Sequence, residues 1–470
     1  MNDGITAKNI DETLKTAKNI HMIGIGGAGM CPLAEILAKR GYSLSGSDNN
    51  ESETLDRVRA MGIPVAMGQK AENIDPARMD MIVYTAALLP DNPELVAAEA
   101  SGVPTYTRAE LFGAITRKYK ECVGVCGTHG KTTTTAMIVH ILLESGLDPS
   151  AVIGGRLPLT GTNGVVGSSD TIVCEACEFK NTFLSLSPTC SVLLNVDDDH
   201  LEFFGSMENL RAAFRKFCEM SRTVIYNIDD ENTRLALDGI QGKTLLPFGE
   251  SENAVYRISD IEKNKAFASF CITENGVKRR VSLKIPGLHF VWDAAAAYAA
   301  ARYCGASPEQ CVAAIGTFEG AGRRFETLYN KNGIRVVDDY AHHPTEIRVT
   351  LEAAMEMGFE RVWAVIQPFT YSRTKMLFDD FVEVMKIPDR VILTQIMGSR
   401  EVNTVGVYSS QLAEKVPGAE VFDTFEEIAD HLYKNVRPGD LVITLSCGDV
   451  YKIAKLLIKK LDEQERSGQP

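Results

Sequence analysis

A strand, a short loop and a helix in direct succession at residues 121–146 constrain this chain more than any other feature. The segment ECVGVC reads as a buried strand, Gly127-Thr128-His129-Gly130-Lys131-Thr132 as a loop, and TTTAMIVHILLESG as a helix closed by Gly146. A strand that passes its chain straight to a helix is the unit of a parallel sheet covered by helices. The loop is also suited to phosphate. Backbone N–H groups from Gly127 to Thr133 would cradle an anion at the helix N-terminus, Lys131 would neutralise the β and γ oxygens, and Thr132 would hold Mg²⁺. The GxxxxGK[ST] pattern fails only at its first glycine, which is Val125. ATP is the ligand this predicts. A coincidental Gly-Lys-Thr would leave the flanking strand and helix unexplained.

The strand-helix rhythm repeats along all 470 residues, which at ~150 residues per domain implies about three domains. It predicts an α/β protein of three units. A Rossmann-like unit covers 1–118, a central P-loop ATPase-like unit covers 119–322, and a second Rossmann-like unit covers 323–470. Between Asn253 and Gly287 the residues alternate and carry an Asn275-Gly276 hairpin signal, so the central unit is predicted to bear a small antiparallel annex. The last residues, DEQERSGQP, read as a disordered tail.

Charge narrows the function. With 49 basic and 62 acidic residues the net charge is −13, which argues against a general nucleic-acid surface while leaving room for a local phosphate site. No apolar run is long enough to enter a membrane, and the polar N-terminus lacks a signal peptide's apolar core. Eleven cysteines, odd in number and scattered through apolar stretches such as those at Cys122, Cys126, Cys174 and Cys190, suggest neither a disulfide framework nor a structural zinc site. A cytoplasmic protein is expected.

Other strand ends carry candidate site residues. An apolar strand, NIHMIGIG, runs into a glycine-rich turn in which Gly24, Gly26, Gly27 and Gly29 lie between strand and helix, where glycines admit a pyrophosphate, and Asp48 ends the next strand, where it could accept a ribose hydroxyl. The spacing is GxGGxG rather than GxGxxG, so a nucleotide diphosphate is favoured over a nicotinamide cofactor, and a turn that merely needs glycine remains open. Glu175 and Glu178 follow TIVC, and Asp197, Asp198, Asp199 and His200 follow SVLLN; parallel strands would bring these ends beside the phosphate loop to bind Mg²⁺ or to form a solvated loop. In the third unit Asp338, Asp339, Tyr340, His342, His343, Pro344, Thr345 and Glu346 form a dense polar turn that could bind ligand or cap a helix. Arg323 and Arg324 could reach phosphate, and Arg373 could hold a carboxylate.

The segments IGIGGAGM, SGSD, GTHGKTTTT, EACE, NVDDDH, GAGRRFE, DDYAHHPTE and QPFTYSRT, in this order, resemble the Mur ligases, and the opening glycine turn with DDYAHHPTE resembles the alanine-adding branch. The resemblance implies ATP-dependent ligation of L-alanine to UDP-N-acetylmuramate through an acyl phosphate, in peptidoglycan precursor synthesis. It implies that Gly24 to Gly29 and Asp48 hold the UDP-sugar, and that Gly127 to Thr133 with Arg324 hold ATP. Thr132, Glu175 and His200 would bind metal, Lys131, Glu175, His200 and Arg373 would serve catalysis, and Tyr340, His342 and Arg373 would receive the amino acid. A monomer or weak homodimer is expected. The chain departs from the family pattern at Pro32, Phe290, Asp293, Phe369, Met397 and Ser446-Cys447, which predicts an altered nucleotide or acceptor pocket. A ligase for another amino acid or a peptide, and a non-catalytic nucleotide-binding paralogue, are the alternatives.

Overall fold

The computed structural model describes residues 9–467 other than His200 and Arg400. Three sheets account for the strand-helix rhythm. In the first, β1 (Asn19–Ile23), β2 (Ser43–Asp48), β3 (Val65–Met67), β4 (Met81–Tyr84) and β5 (Thr105–Thr107) run parallel in the order β3-β2-β1-β4-β5. The order reverses between β1 and β4, so the glycine turn that leaves β1 opens at the switch point where such sheets take ligands.

The second sheet contains β6 (Glu121–Cys126), β7 (Ser150–Leu157), β8 (Thr162–Val165), β9 (Thr171–Glu175), β10 (Cys190–Leu193), β11 (Thr223–Asn227), β12 (Thr244–Gly249), β13 (Tyr256–Asn264), β14 (Phe267–Glu274) and β15 (Val277–Pro286). Its order is β15-β14-β13-β12-β11-β10-β6-β9-β7-β8. Strands β10, β6 and β9 are neighbours and parallel, which sets the ends of all three beside the loop after β6. Their apolar runs are buried on both faces, as a sheet sandwiched by helices requires. The predicted annex is present: β14 and β15 join through Asn275 and Gly276, both at positive φ (50° and 76°) as a tight hairpin turn demands.

The third sheet comprises β16 (Glu326–Lys331), β17 (Ile334–Asp339), β18 (Arg361–Ile366), β19 (Arg390–Leu393), β20 (Glu420–Val421) and β21 (Asp440–Leu445), ordered β16-β17-β21-β18-β19-β20. Only the pair β16–β17 is antiparallel. The C-terminal ends of β17, β21 and β18 therefore lie side by side.

The chain divides into two compact units. One comprises the chain up to Ile258 with Ile272–Lys278 and Trp292–Ile315; the other comprises Ser259–Cys271, Arg279–Val291 and the chain from Gly316 onward. The tail expectation fails over most of its length, because the helix Tyr451–Ser467 continues through it and Lys331 Nζ pairs with Asp462 Oδ1 at 3.1 Å. Leu457 and Leu461 supply the buried face that keeps it helical. No helix among the described residues is long and apolar enough to cross a membrane.

Candidate active site

The phosphate loop is shaped by its neighbours before any ligand arrives. Gly130 takes φ +82°, and a Cβ there would lie 2.4 Å from Asp293 Oδ1, so only glycine fits. Asn195, at the end of β10, clamps the loop: its Oδ1 accepts from His129 N at 2.8 Å, its Nδ2 donates to His129 O at 3.1 Å, and its carbonyl accepts from Thr128 N at 3.1 Å. The His129 ring meets Asp197 Oδ2 at 3.0 Å.

Lys131 opens the helix Lys131–Glu144 and folds back to donate to the carbonyls of Gly127 (2.6 Å) and Thr128 (2.9 Å). Its Nζ also pairs with Glu178, 3.0 Å from Oε2; the Glu178 side chain is buried and that of Lys131 mostly so. Burial is the largest single influence and works against the ammonium, but the charges of Glu178, Cys177 and Glu175 and the Glu178 hydrogen bond together outweigh it and hold the Lys131 pKa above its ordinary value. Thr132 Oγ1 donates to Glu175 Oε2 at 2.8 Å, and Gly154 N donates to the same oxygen at 2.9 Å. Two oxygens bound to one Mg²⁺ at ~2.0–2.1 Å and a right angle lie ~2.9 Å apart, so the Thr132 hydroxyl and Glu175 carboxylate fit adjacent positions of an octahedral ion.

Glu175, Thr132, Lys131 and the loop thus come together as the sequence predicted. His200 lies outside the described residues. Among those described, no group of three His, Cys, Asp or Glu side chains forms a metal cluster by itself. One Cys-x-x-Cys spacing, Cys174 to Cys177, is present. Cys174 is buried, with Sγ 3.6 Å from Cys122 Sγ, while Cys177 is exposed, so the two are not a paired ligand set.

The glycine turn after β1 lies in the same compact unit. Gly26 N donates to Asp48 Oδ2 at 2.9 Å and Asn50 N to Asp48 Oδ1 at 3.1 Å, so Asp48 fixes the turn itself. Pro32 occupies the first turn of the helix Cys31–Lys39, where its missing N–H leaves no helical bond unmade. The hairpin β7–β8 reaches both sites: Asn163 Nδ2 donates to Ala28 O at 2.7 Å, and Gly154 serves Glu175. Sequence reading missed this hairpin, along with Asn195 and the pairing role of Glu178. Its only signal was the turn-forming TGTNG run.

In the other unit the ends of β17, β21 and β18 build a second cluster. Arg323 donates to Asp338 Oδ2 (2.8 Å) and to the carbonyls of Ser446 (2.7 Å) and Gly448 (3.0 Å). The guanidinium groups of Arg323 and Arg324 lie 5.0 and 4.9 Å from the Tyr340 ring centre. Asp339 accepts from the N–H groups of Phe325 (2.7 Å) and Ala341 (2.8 Å); burial pushes its carboxyl up to about 6, against the lowering effect of Arg324. His343 caps the helix Pro344–Glu356 through Thr345 N (3.3 Å), whereas the His342 ring stands 5.7 Å from that of Tyr340 and 6.4 Å from that of Phe369. His343 thus takes the capping alternative, while His342 Nδ1 lies 3.1 Å from Tyr340 O and 3.2 Å from Glu346 Oε2. Arg373 sits in the short helix Tyr371–Met376 after β18. The departures Phe369 and Met397 also converge: Phe369 bridges to Met397, and a Cβ on Gly448, the neighbour of the departure Cys447, would lie 2.6 Å from Met397 Sδ.

Comparison with known proteins gives the class. Three family models match in succession: "Mur ligase family, catalytic domain" at residues 19–120, "Mur ligase middle domain" at 125–301, and "Mur ligase, glutamate ligase domain" at 323–448. The chain belongs to the Mur ligase family.

Within that family it is 42% identical to the UDP-N-acetylmuramate–L-alanine ligase of Lachnospira eligens over 450 residues, covering 94% of this chain and 98% of that protein. The ligase of the same name from Acetivibrio thermocellus is 42% identical over 452 residues, 94% of this chain and 96% of its own. Among solved structures, the UDP-N-acetylmuramate–alanine ligase of Thermotoga maritima superposes with a TM-score of 0.82 at 27% identity, covering 95% of this chain and 99% of the other. A murein peptide ligase from Psychrobacter arcticus shares the fold with a TM-score of 0.75 at 23% identity.

Proposed function

We propose that this protein joins L-alanine to UDP-N-acetylmuramate at the expense of ATP. The observation that carries the reading is the loop that gathers Lys131, bonded to the Gly127 carbonyl, with Thr132, bonded to Glu175, in a chain 42% identical to ligases of that name. The muramoyl carboxylate attacks the γ-phosphate, the bond to the bridging oxygen breaks, and ADP leaves behind an acyl phosphate. The alanine amine then attacks the acyl carbon, and phosphate departs from the tetrahedral intermediate.

Each residue has a part in this reading. The turn Gly24 to Gly29, fixed by Asp48, receives the sugar nucleotide's diphosphate. The N–H groups of Gly127 to Thr133, with Arg324, hold ATP. Lys131 exchanges its two carbonyl partners for β and γ oxygens while Glu178 keeps it charged and aimed. Thr132 and Glu175, with His200, are the residues that would hold Mg²⁺, which when bound neutralises charge on the transferring phosphoryl group. Tyr340, His342 and Arg373 take the amino acid, with Arg373 on its carboxylate. The same reading puts the enzyme in the cytoplasm as a monomer or weak homodimer.

Phosphate release tests this, with ATP, Mg²⁺, UDP-N-acetylmuramate and each of L-alanine, glycine, L-serine and the murein tripeptide. Release that needs both L-alanine and the muramate is the expected result. Release with another acceptor would assign the Phe369–Met397 wall to a different amine. No release with any acceptor would favour a nucleotide-binding paralogue.

A further inference from the structure

His21 on β1 pairs in register with Ser45 on β2, so both side chains leave the same face of the first sheet. The opposite face carries Ile20, Met22 and Leu44 into the large core, while this one carries Ile23 into a small cluster with Ile82 and Ala98. Cover here is incomplete. Between β3 and β4 the chain makes a three-residue 3₁₀ turn, Ala71–Asn73, where a crossover helix is usual. A cavity of about 540 Å³ remains, lined among others by His21, Ser45, Pro64, Val65, Arg78 and Met79.

Three side chains form a relay in its wall. Ser45 Oγ lies 2.9 Å from His21 Nδ1, and His21 Nε2 lies 2.9 Å from Glu94 Oε1. Glu94 enters from the first turn of the helix Pro93–Ala100 and also accepts from Ser47 Oγ at 2.6 Å. Glu94 and His21 are buried, whereas Ser45 is half-buried. A carboxylate accepts and does not donate, so the proton shared by His21 and Glu94 sits on Nε2. The Nδ1 lone pair is then left for the Ser45 hydroxyl. A serine held by an imidazole that a buried carboxylate orients is arranged as an activated nucleophile. None of the three residues belongs to the phosphate loop, the glycine turn or the Tyr340 cluster.

We propose that Ser45 is an acyl-accepting serine and that this cavity hydrolyses small carboxylic esters, an activity separate from ligation. Ser45 Oγ attacks the ester carbonyl carbon while its proton passes to His21 Nδ1. The tetrahedral intermediate breaks its bond to the alcohol oxygen, which takes that proton, and acyl-Ser45 remains. Water then attacks the acyl carbon and gives a proton to His21. The carboxylic acid departs as Ser45 Oγ recovers the proton. Gly46 N already donates to Pro64 O, so Arg78, which meets Asp75 at 3.4 Å, serves the developing oxyanion. An exposed guanidinium is a weaker stabiliser than a preorganised pair of N–H groups, so turnover is slow and acyl-Ser45 accumulates.

The test mixes the full-length protein with p-nitrophenyl acetate or butyrate and, separately, with an alkyl fluorophosphonate. A stoichiometric burst of p-nitrophenolate and a phosphonylated Ser45 in the peptide mass spectrum are expected. Ser45→Ala should abolish both while ligase phosphate release stays at the wild-type rate. His21→Gln should slow the burst at least about 100-fold, and Glu94→Gln about tenfold or more. A burst that survives in Ser45→Ala, or a fluorophosphonate label that falls elsewhere or nowhere, would overturn the assignment. So would His21→Gln and Glu94→Gln proteins that melt earlier yet acylate at the wild-type rate, since the relay would then merely hold the helix Pro93–Ala100. Ser45→Ala removes a single half-buried oxygen, so labelling at Ser45 still decides the matter should the other two variants fail to fold.

Discussion

The two glycine-bearing turns, Gly24–Gly29 and Gly127–Thr133, both lead a parallel strand into a helix, yet they are prepared for anions in opposite ways. At the phosphate loop the positive groups are already engaged: Lys131 is paired with Glu178 and with two carbonyls, and Asn195 grips His129. At the first turn Asp48 spends its oxygens on backbone N–H groups, and Arg108 stands without an acid. The loop that must steer a phosphoryl transfer holds its cation in place, because a wandering charge would forfeit orientation. The turn after β1 has no such acid on its neighbouring arginine.

The severest way to break this contrast is Lys131→Ala. It should lower turnover by at least about 10³-fold and also destabilise the fold, because Glu178 would stay buried without its cation. Adding Glu178→Gln should restore much of the melting temperature and none of the activity. A double variant that recovers turnover would refute the role given to Lys131.

Glu175→Gln comes next. It keeps the shape but weakens the metal position beside Thr132, so the Mg²⁺ concentration for half-maximal activity should rise roughly 10–100-fold. An unchanged Mg²⁺ titration would remove Glu175 from that role.

A third strand-to-helix turn extends the comparison, since Asp339 is held mainly by the N–H groups of Phe325 and Ala341. Its folded pKa of about 6 lies above the ordinary 3.8, so the fold disfavours the charged form. Above pH ~6 the cost is carried in full; as pH falls from about 6 to 4 the folded carboxyl takes up a proton and stability rises, by up to about 3 kcal/mol. Asp339→Asn should lack that rise. Parallel melting curves of the two proteins across pH 4–7 would disprove it.

The smallest effect is expected from Asn163→Ala, which cuts the hairpin's bond to Ala28 and a contact with Arg57. A loss of about 1 kcal/mol in stability and a modest rise in KM for the sugar nucleotide should follow. A change in KM for ATP instead would show that the hairpin serves the other turn first.

Legibility followed sequence distance. The strands of the parallel sheets were readable because burial on both faces imposes continuous apolar runs, and the loop after β6 because strand, glycine and helix are contiguous. The hairpin β7–β8 was not, since GGRLPLTGTNG has the composition of a loop and becomes sheet only by pairing with β9. Arg108 carried no signal at all. Nothing in TRAEL shows that its guanidinium will meet Gly29, 79 positions earlier. Nor could spacing tell that His343 would cap a helix while His342 turned toward Tyr340 and Phe369.

The sequence by itself determined the α/β class, the phosphate loop with Lys131 and Thr132, and the family, because each depends on local order along the chain. Tertiary structure decided which charges meet: Lys131 with Glu178, Glu175 with Thr132 and Gly154, and Arg108 with a glycine turn rather than an acid. The reason is physical. Backbone preference acts over a few residues, whereas the electrostatics of a site arise where strand ends distant in sequence are stacked side by side, and only the order of strands in the sheet specifies that.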